Sequence, residues 1–325
     1  MFPRVDPSVP TPALIPMGLT ARTQLVAAAL PADIVMILLS SFVFGLIFGS
    51  FLNVVIYRLK NGRNMIFGRS FCPQCRTQLK WPDLIPLLSF VFLRGRCRYC
   101  RKKISWQYPI VEILSGLIWV LVAYKSNFQF SIFNFQSISN FQFLNFVYYI
   151  FIFSSLLVVA VYDFKWRIIP DKIVYPAIAV ALVYNIFNII TPPNLPLSGE
   201  ELGSLPDKGG MGWVFIWPFL VAIIAFLFLF LIFYFSKGRA MGLGDAKLAF
   251  LIGLFLSPLL AIAAFMLAFI IGAVWGIILI GLGKIFSHYK KWGMKSQIAF
   301  GPFLVLGAFL AFFFSDFIIK LLNLN

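Results

Sequence analysis

The sequence predicts an all-α polytopic membrane protein of about eight transmembrane helices, with one small polar loop domain on the cytoplasmic side. Three observations carry this reading. The 325 residues are 61% hydrophobic and only 12% charged, about half the charged fraction of a soluble domain. The apolar residues gather into runs of spanning length. And 22 of the 27 Lys and Arg fall in one alternate set of the loops between those runs.

In chain order, residues 1–32 are Pro-rich and irregular. They lack the basic start, short apolar run and small-residue cleavage site of a secretory signal, so they are expected to form an irregular N-terminal extension, disordered or lying on the surface. Residues 33–60 hold the first span, with its apolar run at 34–58. Residues 61–108 form the polar loop domain, and 109–325 the membrane-embedded body. In that body the apolar runs fall at 109–124, 146–162, 173–190, 213–235, 247–257, 259–282 and 300–322. Pro258 separates the sixth run from the seventh and marks a tight turn. Residues 126–146 repeat Asn-Phe-Gln-Phe, a low-complexity tract read as an outer interfacial connector. Residues 191–212 are Pro/Gly-rich and acidic, a solvated outer loop. The 39 Phe residues are read as mostly lipid-facing bulk.

The basic loops set the orientation. Residues 59–108 (with Arg58 at the edge), 163–172, 236–247 and 283–299 carry the Lys and Arg, which places them in the cytoplasm. Eight spans then put both termini outside. The net charge of +16 does not imply nucleic acid, because phosphate binding needs a basic face on a soluble surface.

All four cysteines lie in the polar loop. The pattern is Cys72-Pro-Gln-Cys75, 21 intervening residues, then Cys97-Arg-Tyr-Cys100. Each C-x2-C turn presents two sulfurs to one side of an ion, and two such turns complete a tetrahedron. A disulfide pair is the competing reading, but the loop faces the reducing cytosol. Four thiolates leave no open position on the metal, so the expected role is a structural zinc. It staples a zinc-ribbon-like segment with few apolar residues of its own.

Two aspartates mark the membrane boundary. Asp163 ends the third run in Val-Tyr-Asp-Phe-Lys-Trp-Arg-Ile-Ile-Pro-Asp, and Asp245 opens the sixth in Met-Gly-Leu-Gly-Asp-Ala-Lys. An ionisable side chain at the edge of hydrocarbon is a functional candidate. Gly242 and Gly244 clear side chains from beside Asp245, which allows another backbone to approach. Two carboxyls held together cannot both ionise and share one proton, the arrangement of aspartyl proteases. Taken singly, each acid can instead pair with a nearby cation (Lys165, Arg167 or Lys247) at the headgroup level. The glycine motif and the second boundary acid favour the catalytic reading. Asp171, after Pro170, reads as a helix cap or surface acid. Glu112, just inside the second span, reads as the ion-pair partner of Arg101, Lys102 or Lys103. His288 has no evident catalytic partner.

Several stretches together resemble the type IV prepilin peptidase (leader peptidase) family, a GxGD-type intramembrane aspartyl protease family. They are Phe48-Gly-Ser-Phe-Leu-Asn-Val-Val-Ile-Tyr-Arg58, the double C-x2-C loop ending Arg94-Gly-Arg-Cys-Arg-Tyr-Cys100, Tyr108-Pro-Ile-Val-Glu112 and Phe300-Gly-Pro-Phe303. Asp163 and Gly242-Leu-Gly-Asp245 fall where that family has its catalytic aspartates. Gly242, Gly244, Lys247 and Asp171 then stand as supporting residues. The resemblance implies cleavage of a short basic leader from prepilins or pseudopilins, after a Gly, at the cytoplasmic face of the bacterial inner membrane. In members carrying the cysteine loop it also implies N-methylation of the new terminus with S-adenosylmethionine. No Gly-rich methyltransferase loop is present, so the sequence assigns no cofactor residues.

A second class is a proton-coupled transporter with a zinc-stapled regulatory loop. Transporters place ionisable groups near the midplane and carry internal repeats, and neither feature is seen here. A third class, a non-catalytic assembly scaffold, leaves the paired aspartates unexplained.

Overall fold

The computed structural model describes residues 32–62, 64, 68–126, 140–190, 208–239, 241–285 and 299–321. The readings of the N-terminal extension, most of the Asn/Phe/Gln tract, most of the Pro/Gly-rich loop and His288 lie outside these residues.

An apolar helix stands at each of the eight expected positions. These are α1 (Ala32–Lys60), α3 (Gln107–Lys125), α4 (Asn140–Trp166), α5 (Asp171–Ile190), α6 (Lys208–Ser236), α7 (Leu243–Phe255), α8 (Pro258–Ile285) and α9 (Gly301–Phe313). A one-turn helix, α2 (Leu88–Phe92), lies in the polar loop, and a short α10 (Ser315–Leu321) ends the described chain. Among the described residues, α1, α3, α4, α6 and α8 are long and apolar enough to cross a bilayer. Among the described residues no strand forms, and the polar loop holds two isolated antiparallel bridges.

Burial orders the bundle. The apolar stretch of α4 is 61% buried, against 17% for α1 and α6 and 11% for α8. The helix carrying Asp163 is therefore the central one, and it packs on α1, α3, α5 and α9. The outer helices turn their large apolar side chains to lipid. Small residues set the closest seams, as membrane helices require in the absence of a hydrophobic drive between them. Gly45 and Gly49 of α1 lie against the backbones of Gly116 and Glu112 of α3.

Three expectations need correction. The eighth run is not continuous: it breaks at Phe314, where Lys125 donates to Ser315 Oγ at 2.8 Å and pairs with Asp316 at 3.2 Å. A charged, hydrogen-bonded junction does not continue an apolar helix. The connector does not extend to 146, because residues 140–146 already form the first turns of α4; their Phe and Asn side chains suit a helix entering the interface. A set of Phe rings packs inside the bundle. Phe153 is 2% exposed and meets Phe255, Phe309, Phe312 and Phe313 at ring separations of 5.0–5.9 Å, which fills the centre of the bundle. Glu112 is the third and is described with its site below.

At 13 residues α7 spans about 20 Å, short of the ~30 Å hydrocarbon core. Its C-terminal carbonyls need partners inside the bilayer. Asn185 of α5 supplies one, donating to Leu254 O at 3.0 Å.

Candidate active site

The two boundary aspartates come together on the same side of the bundle. Asp163 is 4% exposed and Asp245 8%, and they lie close enough for the charge of one to be felt at the other. Their settings match. Asp163 Oδ2 accepts the backbone N–H of Gly301 at 3.0 Å, and Asp245 Oδ2 accepts that of Gly242 at 3.1 Å. Each carboxyl is thus pinned through one oxygen to a helix N-terminus, where orphan N–H groups favour negative charge. The second oxygen of each has no partner among the described residues.

Local sequence explains the placement. Asp245 is the third residue of α7 after the N-cap Gly242, so its side chain reaches back to the cap N–H. Asp163 lies one turn before the end of α4. The helix closes with Arg167 at φ +56°, whose N–H bonds Asp163 O at 2.7 Å, a left-handed helix stop. The chain then returns through Ile169-Pro170 into α5. Ile169 lies directly on Gly244: a Cβ there would sit 2.8 Å from the Ile169 Cβ. The second glycine of the motif therefore admits the loop that follows Asp163, and this seats the two aspartates side by side. Gly301 meets Asp163 even more closely, since a Cβ would fall 2.6 Å from Oδ2.

The ion-pair reading of the aspartates does not hold. Lys247 pairs with Asp171 at 2.7 Å, and Lys165 donates to Gln107 Oε1 at 2.9 Å. Among the described residues no cation pairs with Asp163 or Asp245. Lys247 also lies 4.9 Å over the Tyr175 ring. The Lys247–Asp171 pair thus ties the start of α5 to the start of α7, and Asp171, half exposed, faces this tether rather than the carboxyl pair.

The cysteines converge as well. The sulfurs of Cys72, Cys75, Cys97 and Cys100 lie within 4.8 Å of one another, and no disulfide links them. Zn–S bonds of about 2.3 Å in a tetrahedron put sulfurs about 3.8 Å apart; the 4.0 Å from Cys72 to Cys100 fits. The two turns are copies of one another. Cys72 and Cys97 receive Arg76 and Arg101 N–H on their carbonyls, and those arginines have φ +59° and +60°. A bridge closes the base of each, Phe71 to Gln78 and Arg96 to Lys103. Hydrogen bonds from the Thr77 side chain and backbone pull the Cys75 thiol down to about 6, while, against a hydrogen bond from the Lys102 backbone, burial and the neighbouring sulfurs push that of Cys100 up to about 11.

Three residues in the recognised stretches, to which the sequence assigned no role or the wrong one, hold this region together: Arg58 and Glu112 clamp the loop to the membrane helices, and Asn53 joins two of those helices. Arg58 donates to Gly68 O at 2.6 Å and to Asn64 O at 3.3 Å. Asn53 donates to Tyr108 O at 3.0 Å, joining α1 to α3. Glu112 does not pair with Arg101, Lys102 or Lys103. Its Oε2 accepts Leu87 N–H at 2.9 Å, because Leu87, at φ +57°, turns its amide down onto α3 while the basic residues stay with the cysteine turn.

Two family models match successive parts of the chain. Residues 43–126 match the model of the bacterial peptidase A24 N-terminal domain, and residues 150–277 that of the type IV leader peptidase family. A Klebsiella pneumoniae protein is 32% identical over 221 residues, 66% of this chain and 83% of its own length. A Bacillus subtilis (strain 168) protein is 30% identical over 282 residues, 86% of this chain and 95% of its own. A Vibrio cholerae protein is 32% identical over 237 residues, 69% and 81% respectively. All three are described as prepilin leader peptidase/N-methyltransferase. No solved structure matches. The chain, a multi-pass membrane protein, belongs to the type IV leader peptidase family.

Proposed function

We propose that this chain is a membrane aspartyl endopeptidase that removes the short basic leader of type IV prepilins or pseudopilins after a Gly, and that it then N-methylates the new terminus. The observation that carries the peptidase reading is the pair of buried carboxyls, each pinned by a backbone N–H and neither paired with a cation among the described residues. Buried acids without counter-ions hold a proton between them. The ionised member takes a proton from water as the water attacks the scissile carbonyl. The protonated member donates a hydrogen bond to the carbonyl oxygen. Gly301 and Gly242 hold one oxygen of each carboxyl, which leaves the other for water and substrate. The protons belong to the pair rather than to either residue.

The placement suits the substrate. A prepilin is itself a membrane helix with a basic leader, so its cleavage site lies at the cytoplasmic boundary of the bacterial inner membrane. The Lys and Arg bias of the loops supports a cytoplasmic position for the α4 end, the α7 start and the cysteine loop. The transporter alternative lacks support: both acids lie at helix ends on one side, and the relatives are named as peptidases.

The four cysteines fit a structural zinc, since a closed thiolate set leaves no position for substrate. Purified protein is expected to carry about one zinc per chain. Elemental analysis showing no metal, with four titratable thiols, would remove the assignment. For the reaction, the chain in lipid nanodiscs is incubated with a prepilin-like substrate and S-adenosylmethionine, and the product terminus is read by mass spectrometry. The expected product begins directly after the Gly and carries one added methyl. An uncut substrate overturns the peptidase reading; a cut but unmethylated product confines the enzyme to proteolysis.

A further inference from the structure

The stretch from Trp81 to Phe92 belongs to the polar loop, yet it leaves most of its apolar surface uncovered. None of the five residues of α2 is buried. Leu88, Val91 and Phe92 share one face of that turn, at spacings of three and four, and Val91 and Phe92 are 66% and 79% exposed. Trp81 opens the stretch, and Trp106 flanks it with its ring 5.1 Å from that of Phe90; the two are 78% and 70% exposed. Large apolar side chains gathered at one surface mark an interaction site, and among the described residues nothing covers them.

One hydrogen bond fixes the depth of this surface. Leu87, the residue before α2, donates its N–H to Glu112 Oε2 at 2.9 Å. Glu112 lies five residues into α3, about 8 Å along the helix axis. The 19 residues of α3 cover about 28 Å, which barely matches the ~30 Å hydrocarbon core. α3 therefore has no length to spare outside the membrane. α2 sits at the level of Ile110 and Ile113, which α3 exposes. The backbone suits that level. Pro82 and Pro86 carry no amide, and the N–H groups of Asp83, Leu84, Leu87, Ser89 and Val91 are all bonded. A segment at lipid depth must satisfy its amides within the protein. The exposed Trp81 and Trp106 are of the type that settles at the membrane–water boundary.

We propose that residues 81–92 form an interfacial anchor, which lays its apolar face into the bilayer leaflet on the aspartate side and draws anionic lipid to it. Interfacial elements sit about 5–10 Å into the boundary between headgroups and acyl chains, and the position of Glu112 on α3 sets this one at that depth. Charge selects the lipid. Residues 61–108 hold ten Lys and Arg and a single acid, Asp83, which is already paired with Arg98 at 2.7 Å. Lys80 and Arg94 bracket the apolar stretch, and both are exposed. Basic side chains beside an inserted apolar face attract anionic headgroups. The anchor is also tied to the second cysteine turn. Gly95 N–H bonds Phe90 O at 2.8 Å, and Ile104 N–H bonds Gly95 O at 2.8 Å. The leaflet thereby holds that turn at a fixed height on the membrane, in place of a loop free in water.

The test uses the zinc-loaded full chain in nanodiscs of equimolar phosphatidylcholine and phosphatidylglycerol. A benzophenone amino acid replaces Phe92, or Ile113 of α3 as the reference for contact with lipid, and the adducts formed on illumination are read by mass spectrometry. Position 92 is expected to give lipid adducts at a yield similar to position 113, with phosphatidylglycerol favoured about twofold or more. Lipid adducts at 113 but not at 92 would put α2 in water and overturn the anchor. Adducts from 92 confined to a second copy of the chain would overturn it as well, since the face would then join two proteins. Equal yields with the two lipids overturn the anionic selection alone. Photolysis of a lipid with a diazirine near the carbonyl end of its acyl chain, bound to the unmutated protein, answers even if a substituted chain does not fold. Label within residues 81–92 is expected. Label on α1 and α3 with none on residues 81–92 overturns the proposal.

Discussion

Asp163→Asn and Asp245→Asn should each lower the rate of leader cleavage by about 10²–10⁴-fold or more, the loss that follows removal of a positioned acid or base. The substitution isolates the chemistry. An Asn side chain keeps the size of Asp, and its amide oxygen can still accept Gly301 N–H at position 163 or Gly242 N–H at position 245. The helix ends stay capped, so thermal unfolding should move little. What disappears is the ability to ionise and to share a proton. Because the pair works as one unit, the double variant should be no worse than either single one. Independent, multiplying losses would mean that the two acids act at separate sites. Full activity in either single variant would end the assignment.

The sequence showed the parts of this molecule whose chemistry is local. Cys72-x2-Cys75 and Cys97-x2-Cys100 specify a turn geometry that places sulfurs wherever the rest of the loop goes, and the sulfurs indeed converge. Gly-Leu-Gly-Asp245 specifies a helix start with an acid at its third position, and the structure has one. The unread parts are contacts that leave no side-chain signature. Gly301 binds Asp163 across 138 residues of sequence through a backbone N–H, which any residue type carries. Only the close approach requires glycine there. Glu112 misled for the same reason. Its partner is the amide of Leu87, and a backbone amide cannot compete with three nearby basic side chains when only the sequence is read. Apolar runs located eight helices well, but not the junction at Phe314, because the ion pair that ends α9 joins Lys125 to Asp316 from distant parts of the chain.

Gly301→Ala should cut kcat by about 100-fold while KM and thermal stability change little, the scale expected when a reacting group is displaced by about 1 Å. The new Cβ falls 2.6 Å from Asp163 Oδ2 and 3.2 Å from its Cγ. Such contacts are not tolerated, so either the carboxyl swings away or the start of α9 withdraws. Both break the 3.0 Å hydrogen bond that fixes the orientation of Asp163. Gly276→Ala in α8 is the matched control. A Cβ there meets nothing within 4 Å, and alanine is favoured over glycine in a helix by up to about 1 kcal/mol. It should leave activity intact and hold or raise stability. Gly301 is then a positioning residue: it touches no substrate and acts through the direction in which Asp163 points. A smaller perturbation separates this from simple loss of packing. Pro302 follows Gly301 at the start of α9, and Pro302→Ala leaves the Gly301 N–H and the space beside it unchanged. Cleavage should survive Pro302→Ala and fail in Gly301→Ala. Equal losses in the two would show that the α9 start matters only as a packed helix end, whereas full kcat in Gly301→Ala would show that the held orientation of Asp163 is not required for the reaction.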